Sequence, residues 1–227
     1  MEVIALNAAD AERAEAGGAD RIELCGTLRA DGLSPEPGVV AKVRAATSIQ
    51  IRAMVRLREG FGTDGGEVTR LRGLMMSYAE AGADGMVLGF LNGLGDVDLE
   101  VVHALVDGGA WPWTFHRAVD SALDADRAWA ALRGLPRLDQ VLTAGSARGV
   151  GHGLDELVAR AKADPWAARR IMAGGGLEPE HVAWLARAGV RAFHVGRAAR
   201  TGNSYEAGID ENLVRSWRVL IDSECHR

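Results

Sequence analysis

The chain has 227 residues, 48% of them hydrophobic, enough for one sizeable core and a single domain over residues 1–227. A formal net charge of -5 gives no electrostatic footprint for nucleic acid or an anionic membrane. Two cysteines make neither a disulfide framework nor a zinc ribbon, and no apolar run has the length of a membrane span, so a reducing, cytoplasmic setting without a secretory leader is expected.

A strand is predicted over 3–6, with Asn7 and Asp10 as cap candidates for a helix over 8–16. Gly18-Ala19-Asp20 then leads into a strand over 21–24, and the same joint returns. Gly82-Ala83-Asp84 leads into a strand over 85–89, and Gly189-Val190-Arg191 into one over 192–195. A looser copy at Gly134 leads through Leu138 and Asp139 into a strand over 140–143. Gly past a helix end takes the left-handed conformation that closes it, and the short apolar run after it reads as a strand buried on both faces. Further strands are predicted over 49–55, 113–116 and 170–173. Helical periodicity fills 36–46, 67–81, 99–107, 122–132, 154–163 and 179–188, with a last helix over 211–221. Ser34-Pro35 and Glu178-Pro179 mark two of the helix starts.

Eight strands alternating with helices predict an α/β fold, a closed (β/α)8 TIM barrel. The competing open, doubly wound sheet would carry a Gly-rich turn after its first strand if it bound a dinucleotide, and Asn7-Ala8-Ala9-Asp10 stands there. Side chains alternate along a strand, and in a parallel barrel the outward set meets the helices. With Ile22, Leu24, Ile51, Ala53, Trp113, Phe115, Phe193 and Val195 outward, the interior receives Arg21, Glu23, Cys25, Arg52, Met54, Arg56, Thr114, His116 and His194.

Barrel chemistry sits at the C-terminal ends of the strands. Candidate catalytic residues are therefore Glu23, Arg56 and His116, and candidate ligand contacts are Asp120, Thr143 and His194. Gly174, Gly175 and Gly176 after the seventh strand, Gly196 after the eighth, and Arg117 are candidates for holding an anion. Glu23 and Arg52 also admit a structural reading, as an ion pair that fills the barrel. Cys25 is the candidate soft-metal ligand for Cu(I). Met54, Met86 and Met172 lie on strands, where Met is mostly core filler. Glu23, His116 and His194 together could hold a harder divalent ion.

The stretches Gly17-Gly18-Ala19-Asp20-Arg21-Ile22-Glu23-Leu24-Cys25, Gly32-Leu33-Ser34-Pro35 and Thr114-Phe115-His116-Arg117-Ala118-Val119-Asp120 resemble the CutC family. So do Leu142-Thr143-Ala144-Gly145, Ile171-Met172-Ala173-Gly174-Gly175-Gly176 and Phe193-His194, in order along nearly the whole chain. The resemblance implies a TIM barrel, a cytoplasmic location, homo-oligomers and a part in copper homeostasis. This chain departs from the family at Arg56-Leu57-Arg58-Glu59-Gly60-Phe61, where Pro and Asp are replaced, at Ala173 for Pro, and at Ile4 for a first-strand Cys. Three expectations follow: copper binding through Cys25, an enzyme acting on a phosphorylated or carboxylated small molecule at the barrel mouth, or a scaffold with a filled mouth.

Overall fold

The computed structural model describes residues 1–28 and 32–225. Its eight strands pair in chain order, all parallel, and β8 returns to β1 to close the barrel. The order is β1 (Glu2–Ala5), α1 (Ala8–Ala16), β2 (Arg21–Leu24), α2 (Pro37–Ala46), β3 (Gln50–Met54) and α3 (Gly65–Glu80). Next come β4 (Gly85–Leu88), α4 (Leu99–Val106), β5 (Trp113–Phe115), α5 (Ala125–Leu132), β6 (Leu138–Thr143) and α6 (Val150–Ala163). The chain continues through α7 (Pro165–Arg170), β7 (Ile171–Ala173), α8 (Pro179–Arg187), β8 (Ala192–Val195) and α9 (Glu211–Cys225).

The strand alternation sorts the core into two parts. Ile22, Leu24, Ile51, Ala53, Met86, Trp113, Phe115 and Phe193 belong to the large cluster between the sheet and the helices. Ile4, Cys25, Met54 and Val87 form a small separate cluster inside the barrel. Each fully buried large apolar side chain contributes about 1.5–3 kcal/mol, so the outer layer dominates stability and the inner layer is left for polar groups.

Helix starts follow side-chain capping. Asn7, Asp64, Asp98, Asp124 and Asp164 each accept a backbone N–H of the following turn. Asp164 with Pro165 opens α7, a short helix in the stretch between the helix expected over 154–163 and β7, where none was predicted. The turn at Arg117–Ser121 is 3-10, so the helix expected over 122–132 begins at Ala125. Asp10 is not a cap. It is buried, and its carboxylate accepts from Arg200 Nη2 at 2.7 Å, Leu6 N at 3.1 Å and Ile209 N at 3.2 Å. Arg200 also donates to the carbonyls of Ile4 and Ala207, which fastens the segment after β8 onto the end of β1. No helix among the described residues is long and apolar enough to cross a membrane.

Removing one partner of a buried pair leaves the other uncompensated. Asp10→Asn or Arg200→Met should therefore cost about 3–5 kcal/mol in urea unfolding, against a small change for the double substitution to a matched apolar pair.

Candidate active site at the barrel mouth

The strand ends open into a cavity of about 430 Å³. Glu23, Arg56, His116, Arg117 and His194 line it, with Gly175, Gly176 and Gly196 along one side. Phe61, Tyr205 and Trp217 supply aromatic wall. The mouth is thus open, contrary to the filled mouth that a scaffold would have.

Register builds the floor. Glu2 stands opposite Arg21 across β1–β2 and opposite His194 across β1–β8. All three point inward. Arg21 Nε donates to Glu2 Oε2 at 2.6 Å, and His194 Nδ1 lies 2.7 Å from Glu2 Oε1. One step higher, His194 Nε2 lies 4.0 Å from Glu23 Oε2, and the Cys25 thiol contacts the same oxygen at 3.8 Å. Glu23 Oε1 is buried without a partner.

The Glu23–Arg52 ion pair of the structural reading does not form. The two residues are register neighbours, but the Arg52 guanidinium turns toward β6, donating to the two oxygens of Asp139 at 2.5 and 3.3 Å. The divalent-ion set read from the sequence is likewise corrected. Glu2, in place of His116, has its ligating atoms within 4.8 Å of those of Glu23 and His194. Alternation already puts Glu2 on the inner face beside Ile4, but a predicted strand starting at residue 3 passes over it.

These surroundings set the proton affinities. Burial pushes the Glu23 carboxyl up to about 7; His194 pulls against this and the Glu2 charge adds to it. Burial also opposes charge on Glu2, but Arg21 and His194 outweigh it and hold Glu2 at about 2. For His194, burial disfavours the imidazolium, yet Glu23 and Glu2 raise its value above the ordinary one.

His116 is the opposite case. Burial, then the nearby charges of Arg56 and Arg117, lower it to about 3. It follows β5 directly, and its Nδ1 accepts the Ala118 N–H at 3.2 Å. The ring is therefore neutral with its proton on Nε2, and Nε2 is buried with no partner. Gly89 makes room for this ring, since a Cβ there would stand 2.7 Å from Nδ1. No sequence motif marks Gly89, which is why only the structure reveals it.

The remaining candidates divide into wall and brace. The Arg56 guanidinium lies 4.9 Å from the centre of the Phe61 ring and donates to the Gly60 and Gly32 carbonyls. Arg117 donates to Asp120 at 3.0 Å and to the Ser146 and Ala147 carbonyls. Asp120 also accepts from Thr143 Oγ1 at 2.6 Å and from Ala144 N at 2.8 Å. Asp120 and Thr143 thus brace Arg117 and are not among the cavity walls. Gly174 lies under the mouth, where a Cβ would meet that of His194 at 2.8 Å. Gly175, at φ +90°, leaves space that Arg117 fills. Gly196 leaves space for the Tyr205 hydroxyl. The Gly run therefore admits side chains to the mouth. The start of α8 just after it carries Glu178 and Pro179, so positive charge at the rim comes from arginines rather than from a helix end.

The model of the CutC family matches residues 1–199. The family protein CutC of Xanthomonas axonopodis pv. citri is 37% identical over 199 residues, covering 86% of this chain and 81% of the relative. That of Klebsiella pneumoniae is 34% identical over 199 residues, covering 86% and 78%. The crystal structure of the Streptococcus agalactiae protein that carries the name copper homeostasis protein CutC superposes with a TM-score of 0.76 at 26% identity, covering 86% of this chain and 96% of that one. Orotidine 5'-phosphate decarboxylase from Pyrococcus horikoshii, with a TM-score of 0.60 at 17% identity over both whole chains, shares the fold alone. Tyr205 and Trp217, two walls of the cavity, lie beyond the matched residues. With the barrel, the order of the motifs and these matches in agreement, the chain belongs to the CutC family.

Proposed function

We propose that this chain is an enzyme that moves a proton on a small carbonyl compound carrying a carboxylate or phosphate. One observation carries the reading: a carboxyl poised at about 7 and a neutral imidazole with an unmet N–H line the same cavity. A general base works best near the operating pH, and a fixed donor acts where negative charge develops. In this reading Glu23 takes the proton from the carbon next to the carbonyl. The electron pair moves onto the carbonyl oxygen, which His116 Nε2–H stabilises. Return of the proton to carbon completes the turnover. Arg56 and Arg117 attract the anionic group, with the N–H groups around Gly175, Gly176 and Gly196 beside it. A Schiff base with a chain lysine is not part of it, because Lys42 and Lys162 are the only lysines and both are exposed on α2 and α6.

A second reading treats Cu(I) as cargo, held by Cys25. Its support is that Cys25 and Met54 pack in one cluster, a thiol beside a thioether, with Gly32 over both. The donor set is thin. Burial, then the charges of Glu23 and Glu2, push the Cys25 thiol well above its ordinary value, and Cys225 packs elsewhere, at the end of α9. A cytoplasmic setting and assembly with further copies of the chain go with either reading; two free thiols suit a reducing compartment.

Three outcomes are expected. Inorganic phosphate should shift the His116 ring resonances, and Arg117→Gln should weaken that binding about 10–100-fold. Cu(I) titrated anaerobically against a competing chelator should bind weakly and equally in wild type and Cys25→Ser; tight one-to-one binding lost in the variant would favour the cargo reading. Thermal melts should report the Glu23 proton. Its folded value lies above the ordinary 4.5, so its contribution is complete below 4.5 and is lost as pH rises through about 7. Glu23→Gln should remove that loss, and an unchanged pH dependence would place the proton elsewhere.

A further inference from the structure

We infer that Glu2 is the positioning residue of the mouth, fixing which nitrogen of His194 faces Glu23. The inference rests on the acid–base reading of the site and is tested without substrate. Glu2 does not line the mouth. It lines a smaller cavity, of about 220 Å³, at the opposite end of the barrel, together with Met1, Asp20, Arg21 and Arg191. Yet it is one hydrogen bond from a ring that lines the mouth.

The two oxygens of Glu2 have separate partners. Oε2 accepts from Arg21 Nε at 2.6 Å, and Oε1 faces His194 Nδ1 at 2.7 Å. The Arg21 charge keeps Glu2 ionised, and an ionised carboxylate only accepts. Nδ1 must therefore carry a proton. That leaves Nε2 as the nitrogen that gains and loses one, on the side facing Glu23, 4.0 Å away and beyond hydrogen-bond distance. Arg21 is itself braced. It lies 3.7 Å from Asp139 and 3.1 Å from the sulfur of Met172, and Asp139 is held by Arg52. Asp139, Arg21, Glu2, His194 and Glu23 thus climb the barrel from the end opposite the mouth to the mouth, with Cys25 beside the last of them. The same groups argue for a proton over a metal ion. Both Glu2 oxygens and Nδ1 are engaged, and the Arg21 guanidinium already supplies the positive charge.

The experiment is a pH titration of the full chain labelled with 15N in its histidine rings, from about pH 5 to about pH 9. His194 is assigned by its loss in His194→Gln. Expected is a proton on Nδ1 throughout, with titration confined to Nε2. Glu2→Gln should lower the His194 midpoint by about 1–3 units and bring in the Nε2–H tautomer, and Glu2→Asp should restore Nδ1–H. An Nε2–H tautomer in the wild-type chain, or a Gln variant with unchanged midpoint and tautomer, would overturn the inference. Should Glu2→Gln not fold, the wild-type tautomer and the Asp variant decide. His116, read in the same spectra with phosphate added, reports separately on the anion-binding reading.

Discussion

A carboxylate in the lowest layer of a barrel needs a cation, and Glu2 has one in Arg21, 2.6 Å away across β1–β2. The polar interior depends on that pair. It leaves the second Glu2 oxygen for His194, and it keeps the positive charge of Arg21 low in the barrel. Glu23, one layer up, is then without an arginine in contact, and the His194 ring stands 4.0 Å away. A carboxyl so placed holds its proton to about neutral pH. Had Arg52 turned to Glu23 as the register allows, the mouth would have been filled by a closed ion pair. Asp139, at the start of β6, draws Arg52 away.

Above this floor, the mouth is arranged by groups that do not line it. Asp120 and Thr143 hold Arg117, the Ala118 N–H fixes the His116 tautomer, and Asp10 with Arg200 ties down the segment that brings Tyr205 to the rim. Glycines do spatial work here. At Gly89, Gly174 and Gly175 the space of a missing Cβ is taken by His116, His194 and Arg117. The phosphate-cradle interpretation of the Gly run and this one differ in where the charge resides, and Glu178 and Pro179 at the start of α8 favour the arginines.

Much of this was legible beforehand, for physical reasons. Helix-closing glycines followed by apolar runs gave the barrel, and period-two alternation placed Glu23, Cys25, His116 and His194 inside. What alternation cannot give is the direction of a long side chain after it enters the barrel. Arg52 could reach β2 or β6, and only packing decided. Nor does it give neighbours across the closure, so the Glu2–His194 contact, which needs β8 beside β1, was not visible from either strand. Asp10 looked like a cap because it lies beside a helix start, whereas its partner is 190 residues away. The family's copper name and the polar mouth also pull apart. The name points to sulfur, while the cavity presents acids, imidazoles and guanidinium groups.

The most direct measurement is hydrogen exchange at carbon. The protein is incubated in deuterium oxide with pyruvate and with dihydroxyacetone phosphate, a carboxylated and a phosphorylated carbonyl compound, and deuterium next to the carbonyl is followed by NMR. Enzyme-dependent exchange is expected in at least one of them, abolished in Glu23→Gln and retained in Cys25→Ser. Phosphate or pyruvate that binds and shifts His116 while neither compound exchanges would contradict it, leaving an anion-binding mouth that moves no proton.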